Sequence, residues 1–146
     1  MMDRLEARAR ELVGDSATVT REDPGSDVPW TLLLLRVSPA NPGARSFDVV
    51  QLGDELVVQI GEVGGRWGLT VDADGTEFAL LLLDACIAGR VHERFAPGRS
   101  AVTVWLANGE TFTETGYEFP HFYPIPGWRH LGRRVAYEPY VDAESV

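Results

Sequence analysis

The stretch TEFALLLLDACIAGRVHERF, residues 76–95, decides how the rest of the chain is read. Phe78, Leu81, Leu82, Ala85 and Cys86 recur at helical spacing on one face. Leu80, Leu83 and Ile87 widen that face well beyond a surface stripe, so the helix has to be covered on most sides. Its internal charges, Glu77 and Asp84, are seven residues apart and define one narrow line. Asp74 with Glu77 has the spacing of a capping box. Gly89 suits the left-handed position just past a helix end. The pattern predicts a core helix over residues 76–89 lying on a sheet, with a second subunit as the alternative cover for part of its apolar excess. A buried Asp84 would need a cation, and an arginine of the C-terminal tail is the expected partner.

Upstream, residues 17–71 read as strands. Three runs, 47–52, 55–63 and 66–71, are separated by Gly53-Asp54 and Gly64-Gly65, both two-residue hairpin signals. Those turns set Val49 opposite Val58 and Ile60 opposite Leu69. They gather Phe47, Val49, Leu56, Val58, Ile60, Leu69 and Val71 on one face. WTLLLLRV, residues 30–37, is apolar on both faces and predicts a central strand covered on both sides. EDPGSDVP, residues 22–29, reads as turn. Residues 3–13 form an amphipathic helix with Leu5, Ala9, Leu12 and Val13 inward, a capping box at Asp3 and Glu6, and a stop at Gly14.

Downstream, residues 91–117 are a second strand block. Asn108-Gly109, read as a two-residue turn, pairs Trp105 with Phe112 and Thr103 with Glu114, on the face away from Val102 and Val104. The tail, 118–146, holds four prolines and six of the 14 aromatic residues, which forbids a long helix and argues against disorder. It is expected to wrap the body in extended form, with one helical turn near 127–134. The fold class is therefore α+β: a single domain over 1–146, with an N-terminal helix (1–14), strands (17–71), a central helix (76–89), strands (91–117) and the tail (118–146). Six to eight antiparallel strands are expected, with both helices on one face.

Composition narrows the function. The net charge is -9, with 22 acidic and 13 basic residues. That disfavours nucleic acid and suits a basic protein partner. Every basic residue is arginine, which removes lysine nucleophiles and a phosphate-loop lysine, and is what a GC-rich bacterial genome produces. The lone Cys86 allows no intrachain disulfide and no thiolate zinc site. The N-terminus lacks a secretory apolar run, and no stretch reaches membrane-span length, so a cytoplasmic protein with no membrane partner is expected.

No motif forces a chemistry, and none calls for a metal or cofactor. Asp72 to Gly75 echoes a calcium loop without its later ligands. His92, His121 and His130 show no zinc spacing, and His92 and Glu93 on one strand point to opposite faces. Glu110 and Glu114 would share a face with Trp105. Trp105, Phe112, Tyr123 and Trp128 are the expected lining of a pocket under the tail. Trp128-Arg129-His130-Leu131-Gly132-Arg133-Arg134 is locally basic, and arginine among aromatics is what interface hot spots favour. The plainer expectation pairs Arg129, Arg133 and Arg134 with the protein's own excess acids.

In layout alone, the order helix, strands, helix, strands, tail resembles the small acidic α+β proteins that serve bacteria as secretion chaperones or toxin immunity proteins. The likeness covers no diagnostic motif and transfers no residue. The leading expectation is a non-enzymatic protein-binding module. The alternatives are a small-ligand binder or enzyme with an aromatic pocket under the tail, and a homodimer.

Overall fold

The structure, a computed structural model, describes residues 1–22 and 32–141. Most of the turn expected at 22–29, the start of the strand expected at 30–37 and the end of the tail lie outside the described residues. The described residues form three helices and nine strands. Helix α1 (Met2–Val13) leads into strands β1 (Ala17–Glu22), β2 (Leu32–Pro39), β3 (Phe47–Leu52), β4 (Glu55–Gln59) and β5 (Arg66–Thr70), an antiparallel five-stranded meander in chain order. Helix α2 (Ala73–Ile87) follows. A second antiparallel sheet has the order β8-β7-β6-β9, from β6 (Val91–Ala96), β7 (Arg99–Trp105), β8 (Thr111–Tyr117) and β9 (Arg133–Ala136), with the short α3 (Trp128–Leu131) before its last strand. The class is α+β as expected, but the strands are split between two sheets.

Helix α2 is the shared layer. Leu82, Leu83, Ala85 and Cys86 are buried with Leu5 and Ala9 of α1, Val37, Phe47 and Val58 of the first sheet, and Val91, Val102 and Val104 of the second. Its apolar width is thus used within one chain. The cap is Asp72, not Asp74: the Asp72 side chain accepts from the Gly75 amide at 2.7 Å. A side chain at Gly75 would run into the Thr70 carbonyl, so the first turn sits directly on the end of β5. At the other end the amides of Gly89 (φ 75°) and Arg90 bond the carbonyls of Cys86 and Ala85, a complete Schellman closure.

The charged line on α2 is met by arginines of α1, with Glu77 exposed and Asp84 half-buried. Arg8 Nε and Nη2 bond the two Asp84 oxygens at 3.2 and 3.3 Å, and Arg4 bonds Glu77 at 3.0 Å. The partner of Asp84 therefore comes from the N-terminal helix, not from the tail. Asp3 and Glu6 likewise make no capping box; they hold Arg21 of β1, which pins α1 to the sheet edge.

Two hairpins depart from the two-residue reading. Gly53-Asp54 is a tight turn, with Leu52 opposite Glu55 and Val49 opposite Val58. Gly64-Gly65 belongs to a six-residue loop, 60–65, so Val58 faces Trp67 and Leu56 faces Leu69. The shift in pairing is even, and the same side chains stay inward. The loop leaves the sheet because it docks on the second one: Gly64 N bonds Ser100 Oγ at 2.6 Å and Gly65 N bonds Glu114 O at 3.2 Å.

The Asn108-Gly109 connection is a three-residue loop. Leu106 pairs with Glu110 through a 2.8 Å bond from its amide, the Gly109 amide returns to Leu106 O at 3.0 Å, and Gly109 holds a φ of 90°. This one-residue change flips β8. Phe112 now faces Val104 on the inner side and meets Phe78 of α2 at 5.0 Å between centroids. Trp105 lies on the outer side beside Thr111. Central strand β2 is covered on one side: Leu35 and Val37 are buried, whereas Leu34 is half-buried and lines a groove of about 220 Å³ with Val50, Leu52 and Val57. No described helix is long and apolar enough to cross a membrane.

Candidate functional site

Strand alternation on β6 separates two groups. Val91 and Glu93 point inward and are fully buried, whereas His92 and Arg94 point outward. The pairing places Arg134 of β9 opposite Arg94, and Ala101 of β7 on the other side of Arg94. His92 lies between Ala136 and Thr103, and Thr113 follows Thr103 on β8. Arg129 of α3 and Trp105 close the ends of a groove of about 250 Å³. Ala101 gives the groove depth, because no larger side chain rises between Arg94 and Thr115.

His92 Nδ1 takes a hydrogen bond from the Arg134 guanidinium, 3.1 Å from Nε and closer still from Nη2. Guanidinium only donates, so Nδ1 carries the lone pair and Nε2 the proton. Burial, then Arg134 and Arg94, hold the His92 pKa below its ordinary 6.5. The ring stands edge-on to Trp105 at 4.4 Å. The groove thus presents a neutral imidazole that positions an arginine.

The arginines of the molecule sort by their partners. Arg4, Arg8, Arg10, Arg21 and Arg36 all bond carboxylates. Those around the second sheet do not. Arg94 donates to the His130 and Gly132 carbonyls, Arg134 to His92, Arg129 lies over Trp128 and Arg133 over Phe95 at 4.6 Å. Among the described residues no carboxylate pairs with any of these four. The expected pairing of Arg129, Arg133 and Arg134 with the protein's own acids is not found there.

The residues expected to line one pocket are divided. Trp105 is in the outer groove, Phe112 is inside against α2, and Glu114 turns to the inner side, opposite Val102. Glu110, expected beside Trp105, sits exposed at the end of the hairpin, paired with Leu106. Tyr123 and Trp128 do come together, around Arg99. Of His92, Arg94 and Arg99, the sequence singles out only His92, and only to set it aside as a metal ligand or a partner of Glu93. The alternation of β6 held the signal for the first two, but only the pairing of β9 with β6 brings Arg134 beside them. Among the described residues no three of His, Cys, Asp and Glu gather around a common ion position.

Compared with known proteins, the chain matches no family model, no curated protein and no solved structure at a significant level. The reading of the site rests on its own geometry.

Proposed function

We propose that the protein is a non-enzymatic protein-binding module that engages an acidic segment of its partner through the outer face of the second sheet. The observation that carries this reading is the set Arg94, Arg129 and Arg134, held in place by carbonyls, an imidazole and an aromatic face in a chain of net charge -9. Such cations are positioned but not neutralised, and arginine beside Trp105 and the fully presented Leu131 has the composition of an interface hot spot. The acidic balance of the whole chain suggests a basic partner; the local charge of this face supports the opposite sign at the contact.

The test is co-purification of the tagged full chain from its native cell, beside the double variant Arg94→Glu/Arg134→Glu with unchanged circular dichroism. A stoichiometric partner retained by the wild type, released by added salt and lost in the variant is the expected result. Recovery of no stoichiometric partner, or equal recovery by the variant, would overturn the reading.

A further inference from the structure

A cavity of about 300 Å³ lies beside Arg99, walled by Tyr117, Phe122, Tyr123, Ile125 and Trp128. Arg99 is only 2% exposed. Its Nε donates to Pro97 O at 3.1 Å, and its Nη2 donates to the carbonyls of His121 and Tyr123 at 3.2 and 2.6 Å. Ring centroids of Tyr117 and Tyr123 lie 5.2 Å from the guanidinium carbon, and that of Trp128 lies 6.0 Å away. These bonds occupy the Nε hydrogen and both Nη2 hydrogens. Nη1 makes no hydrogen bond among the described residues, and it is not one of their sealed, unpartnered side-chain atoms. Arg99 lines the cavity, and Nη1 is its nitrogen left without a hydrogen bond there. Carbonyl dipoles and ring faces meet part of the demand of a buried cation. No described carboxylate supplies the full opposite charge that buried cations ordinarily have.

We propose that this cavity binds the carboxylate of an apolar monoacid, with the Nη1 edge of Arg99 taking the carboxylate and the rings taking the apolar body. One unbonded amino group, Nη1, and no second cation in the lining suit a single negative charge better than a phosphate dianion. The volume is at the low end of ligand pockets and accommodates one ring on a short arm. The same chemistry fits a free aromatic acid or the last residue of a peptide chain. The inference is independent of the sheet-face reading, because Arg94, Arg129 and Arg134 do not line this cavity.

The experiment titrates phenylacetate, N-acetylphenylalanine and the uncharged amide of each into the full chain, following the indole N–H signals by NMR. The acids are expected to move the Trp128 signal saturably, with the amides about tenfold or more weaker, the loss of one charge-assisted contact. Tighter binding of phenylacetate assigns the site to free acids, and tighter binding of N-acetylphenylalanine assigns it to chain ends. Ile125→Trp, which fills the cavity and leaves the Arg99 carbonyl bonds in place, should abolish the shift without changing the melting temperature. Arg94→Glu/Arg134→Glu should leave it intact. Equal binding of acid and amide, no saturable shift of Trp128 at millimolar acid, or full binding by Ile125→Trp would each overturn the proposal.

Discussion

Replacing Glu93 with leucine is predicted to destabilise the protein by about 2–4 kcal/mol, while glutamine at the same position should cost about 1–2 kcal/mol. The Glu93 carboxylate is fully buried and accepts from Ser100 Oγ at 2.6 Å, Tyr137 OH at 2.6 Å and the Glu62 amide at 2.9 Å. Those donors come from β7, from the segment after β9 and from the loop that joins β4 to β5, so the group fastens the two sheets to each other. Burial, then the bond to Glu93, pushes the Tyr137 phenol above its ordinary range and keeps it a donor. Leucine would orphan the hydroxyl proton of Ser100, which is itself fully buried and keeps only the bond from the Gly64 amide, at about 1–3 kcal/mol. The Glu62 amide and the Tyr137 hydroxyl are partly buried and can turn to water, so each lies near the lower end of that range. An added methyl returns about 0.8 kcal/mol of apolar burial, too little to offset the loss.

Glutamine differs because its carbonyl can keep the Ser100 and Glu62 bonds while its amide donates to Tyr137, whose hydroxyl also accepts. The assay is urea unfolding followed by tryptophan fluorescence, with the slope against urea checked for constancy. A leucine variant within about 1 kcal/mol of the wild type would refute the reasoning, as would a glutamine variant as unstable as the leucine one. The first result would mean that the apolar isostere replaces the carboxylate, as happens in some buried ionic clusters.

Phe112→Ala should cost about 2–3 kcal/mol, through lost packing on Phe78, whereas Trp105→Ala should be nearly neutral for stability and weaken partner binding; the reverse order would put β8 in the two-residue register. The His92 pKa should titrate below 6.5 by NMR and rise in Arg134→Gln while staying depressed, because burial is the larger cause; a midpoint at or above 6.5 in the wild type would count against the site geometry. A depressed histidine contributes stability above its unfolded pKa that is lost on acidification, so His92→Gln should flatten the decline in stability as pH falls through 6.5. Burial pushes the Cys86 thiol up to about 12, so it should resist thiol reagents at pH 8 in the folded protein and react in urea.

What could be read from the sequence depended on whether an error preserved parity. The Gly64-Gly65 loop is longer than a two-residue turn, yet the pairing shifts by an even number, so Val58, Ile60 and Leu69 keep their side. At Asn108-Gly109 a single residue of loop length moved Phe112 into the core, while Trp105 kept the outer face expected for it. Local dipeptide chemistry names a turn but does not choose between two- and three-residue closure. That choice is made by the aromatic contact of Phe112 with α2, which lies 34 residues away in sequence by numbering from Phe78. Ion pairs were less legible still. Arg8 and Asp84 are 76 residues apart, and nothing local to either distinguishes that arginine from Arg134.

The pairing of β9 with β6 sets Arg134 directly opposite Arg94. Like charges across an antiparallel ladder are unfavourable, and the two guanidiniums turn away from each other, one to His92 and the other to the His130 and Gly132 carbonyls. Arg134→Glu replaces the repulsion with a cross-strand ion pair and should stabilise the free protein by a few tenths to about 1 kcal/mol. If the face exists to meet an acidic partner, the same substitution should abolish that binding, because the added carboxylate neutralises Arg94 from within. Stability measured by thermal melting and partner recovery should therefore move in opposite directions, the pattern of a surface kept for function at the expense of folding. A variant that loses stability would show that the Arg134–His92 contact outweighs the like-charge repulsion. A variant that gains stability and still holds its partner would show that Arg94, Arg129 and Arg134 serve the fold and not the interface.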